Sequence, residues 1–149
     1  MSSLHEREIR QALVDYALQF VGRPYRWGGD DPEEGFDCSG LAVEVLKSVG
    51  ILRRGTDYTS QSLFNRYKKY ELGVPKKGAL IFYHNGRPNK RIIHVAIALD
   101  RSRVVEAGGG GSRTKTLQDA IEQNAFIRIR TWDSRKNVAG FLDPVRSVI

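Results

Sequence analysis

The feature that most restricts the fold of this chain is a change of apolar period near its midpoint. From Glu8 to Val21, the residues Ile9, Leu13, Val14, Ala17, Leu18 and Val21 form one helical stripe. Gly22 and Pro24 follow in the order that ends a helix. A polar, glycine-rich loop spans Tyr25 to Gly35 and contains Gly28-Gly29 and Asp31-Pro32. A second helix is predicted from Asp37 or Cys38, with Asp37 as its cap and Leu41, Ala42, Val45, Leu46 and Val49 as its buried face. Gly50 stops it, and a third short helix begins after Thr59 or Ser60 and runs through Leu63, Phe64 and Tyr67.

Past Lys77 the pattern becomes that of strands, over 78–83, 92–99, 103–107 and 126–132, with a short last strand at 138–142. The segments 84–90 and 108–113 are loops by their Gly, Pro and Asn content. The segment 117–124 reads equally as a helical turn or a loop. Helices first and antiparallel strands after predict one α+β domain over residues 1–149.

Composition narrows the function classes. A single cysteine excludes an internal disulfide and a cysteine-built metal site. The formal charge of +7 suits an anionic partner such as a nucleic acid, an acidic membrane surface or a bacterial wall. The basic residues are scattered, as at Arg53-Arg54, Lys68-Lys69 and Lys76-Lys77, and no nucleic-acid motif gathers them. No apolar run reaches the roughly 20 residues of a membrane-spanning helix. The first eight residues lack the apolar stretch of a secretory signal, so cytoplasmic synthesis without general secretion is expected.

The segment Gly35-Phe36-Asp37-Cys38-Ser39-Gly40-Leu41 carries the chemistry. A cysteine in the first turn of a helix has its thiolate favoured by unpaired N–H groups and the helix dipole. The same N–H groups can receive the oxyanion formed when a carbonyl is attacked. Ser39 and Gly40 are small and keep the approach to sulfur open.

A base must come from His5, His84 or His94. His5 lies in the N-terminal arm, and His84 in a turn rich in Asn, Gly and Pro, where a solvent-exposed position is expected. His94 sits in an apolar strand, on the face shared with Ala96 and Ala98. The two alanines would let a helix pack closely there, and the Cys38 helix would bring sulfur to imidazole. The alternative is a histidine with only a structural duty. A turn centred near Asp100 would set Glu106 opposite His94 on one face, where its carboxylate could orient the ring. A solvent-facing glutamate is the competing reading, with Asp100 or Asn124 as other partners for the ring.

The motifs Pro24-Tyr25-Arg26-Trp27-Gly28-Gly29, Gly35-Phe36-Asp37-Cys38-Ser39-Gly40-Leu41 and His94-Val95-Ala96-Ile97 resemble those of the NlpC-type cell-wall endopeptidases, within the papain-like superfamily. The resemblance runs from the first helix to about Ala107 and includes the 75–82 segment. It implies a papain-like α+β fold with the cysteine helix packed on an antiparallel sheet. It also implies hydrolysis of peptidoglycan stem peptides, commonly at the D-glutamyl to diamino acid bond, with no metal or organic cofactor. By matching position Cys38 is the nucleophile, His94 the base and Glu106 the third polar residue. Tyr25 matches a tyrosine near the sulfur that assists the oxyanion. Asp37 and Ser39 match positions that hold the substrate's polar ends, with Trp27 beside them in the substrate cleft.

The third position more often carries His, Asn or Gln, so a glutamate is a departure that bears on how His94 is tuned. The run Glu106-Ala107-Gly108-Gly109-Gly110-Gly111 resembles forms of the family carried by bacteriophages. That similarity implies phage tail proteins as partners and action at the wall from a virion or through lysis. Two rivals remain at this level: an amidase or acyltransferase on the same fold, and a wall-docking particle component without turnover.

Overall fold

The computed structural model describes residues 3–31 and 35–149; Pro32 of the predicted loop lies outside them. Helix α1 (Leu4–Leu18) starts ahead of the predicted stripe because the Ser3 side chain accepts a hydrogen bond from the Glu6 amide and caps it. His5 therefore sits in the first helical turn and not in a free arm. The helix ends at Leu18, short of Val21, and the chain turns through Gly22 at φ +93°.

Helix α2 (Cys38–Ser48) begins where predicted, with Asp37 as its cap. Helix α3 (Ser60–Tyr67) is held by a capping box between Thr59 and Ser62. The undecided segment is a helix, α4 (Leu117–Gln123), capped by Thr116 and Asp119 and ended by Asn124 in the left-handed conformation.

Two short strands, β1 (Asp30–Asp31) and β2 (Gly35–Phe36), pair with each other in the loop before α2. The main sheet contains β3 (Glu71–Leu72), β4 (Leu80–His84), β5 (Ile92–Ala98), β6 (Arg103–Gly108), β7 (Phe126–Thr131) and β8 (Val138–Leu142). Its order is β3-β8-β4-β5-β6-β7, antiparallel throughout. His84 closes β4 half-buried, its Nδ1 accepting from the Gly86 amide, and so differs from the exposed turn residue expected.

The sheet is covered on both faces. Val95, Ile97 and Leu99 share one core with Leu13, Val14 and Ala17 of α1 and with Leu41, Val45 and Leu46 of α2. Ala96 and Ala98 pack on the other side, with Ala79, Ile81, Tyr83 and Val104. This reverses the expectation that the cysteine helix lies over the alanines. The larger branched side chains bury more area against the helices, at about 1.5–3 kcal/mol each, and the small ones fit under Tyr83 and Trp132. Chain ends are tied by Arg10 of α1, which makes paired hydrogen bonds of 3.0 and 2.7 Å to the buried Asp143 carboxylate.

Candidate active site

Asp37 fixes the tip of α2 and the loop before it together. Its Oδ1 accepts from the Gly40 amide at 2.7 Å and from the Ser39 hydroxyl at 3.3 Å, while Oδ2 accepts from the Gly28 amide at 3.0 Å. Burial raises the Asp37 carboxyl above its ordinary value, outweighing these bonds. The small size of Gly40 serves this junction and not only access to sulfur. A Cβ there would stand 1.9 Å from the Gly29 carbonyl oxygen.

Cys38 emerges half-buried at the helix tip, with its sulfur 3.6 Å from the Ser60 hydroxyl at the start of α3. His94 meets it from the early part of β5. The β5–β6 ladder pairs Ile97 with Val105 and Ala98 with Val104, so the turn is centred on Arg101. Asp100 shapes that turn by accepting from the Ser102 and Arg103 amides at 2.9 and 2.7 Å. Continued, this register sets Glu106 across from Ala96, with His94 on the diagonal of the same face. The expected direct opposition is thus two residues out, so the shared face holds. A glutamate side chain is long enough for the diagonal, and His94 Nε2 lies 2.5 Å from Glu106 Oε2. Asp100 and Asn124, the other candidates, act in the turn and at the end of α4.

His94 and Glu106 are 6% and 3% exposed, which removes the solvent-facing reading of the glutamate. Nε2 is engaged by Glu106, and His94 also interacts with Cys38. Burial pushes the Cys38 thiol up, but the hydrogen bond and charge of His94, with help from Ser60, outweigh it and hold the thiol below its ordinary value. Burial pushes His94 down, and its bonds to Cys38 and Glu106 more than restore it, so its proton is held above the ordinary imidazole range. For Glu106, burial is overcome by His94 and then by Arg135 and Arg130, and the carboxyl lies below its ordinary value. These directions favour a thiolate and an imidazolium beside a carboxylate.

The pair opens into a cavity of about 1020 Å³. Its walls come from the Tyr25–Gly28 loop, α2, α3, the start of β5, Arg130 and Arg135, and the glycine run at 108–111. Trp27, 53% exposed, and Ser39 both face it. Tyr25 is buried beside them, and its phenol is raised first by burial and then by the charges of Cys38 and Asp37. The glycine run packs on Tyr25, since a Cβ at Gly110 would collide with the ring. It is a cavity wall and not merely a loop.

Every residue picked from the sequence therefore lines or backs one cleft. Ser60, Tyr83, Arg130 and Arg135 are among those that do so unpicked. Ser60 could have been noticed as the residue after a Thr N-cap; Tyr83, Arg130 and Arg135 carry no local signal. The Tyr83 ring sits 5.5 Å from that of His94 and its hydroxyl donates to the Trp132 carbonyl at 2.8 Å.

Helices over an antiparallel sheet, with a helix-tip cysteine facing a strand histidine and a buried carboxylate, define a papain-like α+β domain. The NlpC/P60 family model matches residues 22–131, and the chain belongs to that family. It is similar to the bifunctional muramidase/DL-endopeptidase CwlT of Bacillus subtilis, 32% identical over 120 residues, which cover 80% of this chain and 36% of CwlT. It is also similar to the murein DD-endopeptidase MepH of Escherichia coli, 26% identical over 136 residues, covering 87% of this chain and 49% of MepH. Among solved structures, an NLP/P60-family protein of Staphylococcus aureus superposes with a TM-score of 0.65 at 26% identity, covering 91% of this chain and 41% of that one. The chain thus spans about a third of CwlT and half of MepH, and less than a quarter of some other curated relatives.

Proposed function

We propose that this chain is a cysteine endopeptidase that hydrolyses amide bonds in peptidoglycan stem peptides, at the D-glutamyl to diamino acid bond. The observation that carries the reading is the alignment of Cys38, His94 and Glu106 at the mouth of one cavity. The family and the printed names of CwlT and MepH support the substrate class; the first name, a DL-endopeptidase, agrees with a bond from a D to an L centre, while the second names a DD-endopeptidase.

In this mechanism the Cys38 thiolate attacks the amide carbonyl, forming the C–S bond. The positive end of α2 and the Tyr25 hydroxyl stabilise the oxyanion. His94 gives its proton to the leaving amine as the C–N bond breaks, leaving a thioester on Cys38. The neutral ring then takes a proton from water, whose oxygen attacks the thioester and releases the acid and the thiolate. Asp37, Ser39 and Trp27 line the side of the cleft where the substrate's polar ends would rest.

Digestion of defined muropeptides followed by mass spectrometry tests this. Wild type should yield fragments ending in D-glutamate, and Cys38→Ala should yield none while keeping a folded spectrum. Cleavage surviving in Cys38→Ala would overturn the mechanism, and products with other termini would reassign the bond to an amidase or another peptidase specificity. Delivery on a phage tail rests on the glycine run alone. Finding the chain in purified particles would support it, and finding it only in host fractions would oppose it.

A further inference from the structure

Glu106 has more charged neighbours than His94. Arg130 Nε lies 3.7 Å from Oε1, and an Arg135 terminal nitrogen lies 3.7 Å from Oε2, the oxygen that also meets His94. Arg130 projects from β7, the strand next to Glu106. Arg135 follows the turn after β7 and places its guanidinium 5.6 Å over the Tyr83 ring. Its Nε is buried with no hydrogen-bond partner, an arrangement that costs free energy unless a nearby anion offsets the cation. The carboxylate therefore sits between one imidazole and two guanidiniums.

The chemistry explains why that matters. A buried carboxylate 2.5 Å from an imidazole stabilises the ring's proton. Unopposed, it would keep His94 protonated through the half-reaction in which the ring must accept a proton from water. A guanidinium beside Glu106 draws on the carboxylate and repels the imidazolium, and both effects loosen that hold.

Resting on the reading of Cys38 and His94 as nucleophile and base, we propose that Arg130 and Arg135 are positioning residues that offset the charge of Glu106, so that His94 both holds and releases its proton near neutral pH. The other groups at the ring are Cys38 from α2 and Tyr83 from β4, with Asp37, the cap of α2, beside Cys38 and Asp133 beyond Tyr83. Tyr83 stays neutral because burial raises its phenol. The charges in direct contact are those of Cys38, His94, Glu106 and the two arginines, while Asp37 acts on Cys38 and Asp133 on Tyr83 from further off.

The test is the rate of alkylation of Cys38, the only cysteine, by uncharged iodoacetamide from about pH 4 to about pH 10. Cleavage kinetics on a stem peptide run in parallel. Removing a cation should move the limbs of Arg135→Gln upward by about one pH unit, while Arg135→Lys should restore the wild-type profile. Glu106→Gln should move them downward, and the double variant Glu106→Gln/Arg135→Gln should fall between the two, near wild type. Should Arg135→Gln fail to fold, Arg130→Gln, at a side chain 43% exposed, makes the same test. Unmoved limbs in folded Arg130→Gln and Arg135→Gln would overturn the proposal. A rise in KM alone would also overturn it, assigning the arginines to a substrate carboxylate. The alkylation profile reads the arginines even where no stem peptide is cut, so failure of the peptidase reading would be seen separately.

Discussion

Replacing Gly40 with alanine should damage the site without touching a reacting atom. The new methyl carbon would stand 1.9 Å from the Gly29 carbonyl oxygen and 2.9 Å from Asp37 Oδ1. The loop and α2 must part by about 1.1 Å before the first contact reaches 3.0 Å. Backbone atoms make that contact, so no side-chain rotation relieves it. Two hydrogen bonds cross the same junction, from the Asp37 amide to the Gly29 carbonyl at 3.1 Å and from the Gly28 amide to Asp37 Oδ2 at 3.0 Å. Overpacking of this kind costs about 1–3 kcal/mol, and each of the two weakened bonds about 1 kcal/mol, which gives a loss of about 3–5 kcal/mol. Urea unfolding followed by the fluorescence of Trp27 and Trp132 measures it, with Cys38 alkylation reporting the tip. A Gly40→Ala protein within about 0.5 kcal/mol of wild type, alkylated at an unchanged rate, would refute the reasoning.

Three further outcomes follow from the same geometry. Asp143→Ala leaves the buried Arg10 guanidinium without its paired acceptor and should cost about 3–5 kcal/mol in urea unfolding, with peptidase activity retained in the protein that stays folded. Ser60→Ala removes a hydrogen bond that favours the thiolate, so the acid limb of Cys38 alkylation should move upward. The pH profile of cleavage should be bell-shaped. The depressed Cys38 thiol is lost as the nucleophile only when pH falls through its lowered value, and the raised His94 loses its proton only when pH rises above the ordinary imidazole range. A profile with a single limb at the ordinary thiol range would contradict the ion pair.

Much of the site was legible because its parts are local. The Asp37 cap and the stripe from Leu41 to Val49 fix the start of α2, and that start puts Cys38 at the tip. The even spacing of His94 and Glu106 puts them on one face across any turn of odd length. The register differs from the expected one by two residues because the Asp100 side chain bonds the Ser102 and Arg103 amides and the turn centres on Arg101. The face of β5 that meets the helices could not be read, since Ala96/Ala98 and Val95/Ile97 are both apolar and both buried. The sequence leaves α4 undecided between helical turn and loop despite its Thr116–Asp119 capping box, because only Ala120 of its seven residues is buried and its apolar period is faint. The pairs β1–β2 and β3–β8 are too short for any period to show. Arg130 and Arg135 reach Glu106 only through the pairing of β7 with β6 and the turn beyond it.

The shared proton of sulfur and imidazole can be measured directly by thiolate absorbance near 240 nm, titrated with pH in wild type against Cys38→Ser. The account predicts thiolate at a pH well below the ordinary thiol range, and its return toward that range in His94→Ala. A Cys38 thiol that titrates at its ordinary value or higher in both proteins would contradict the account.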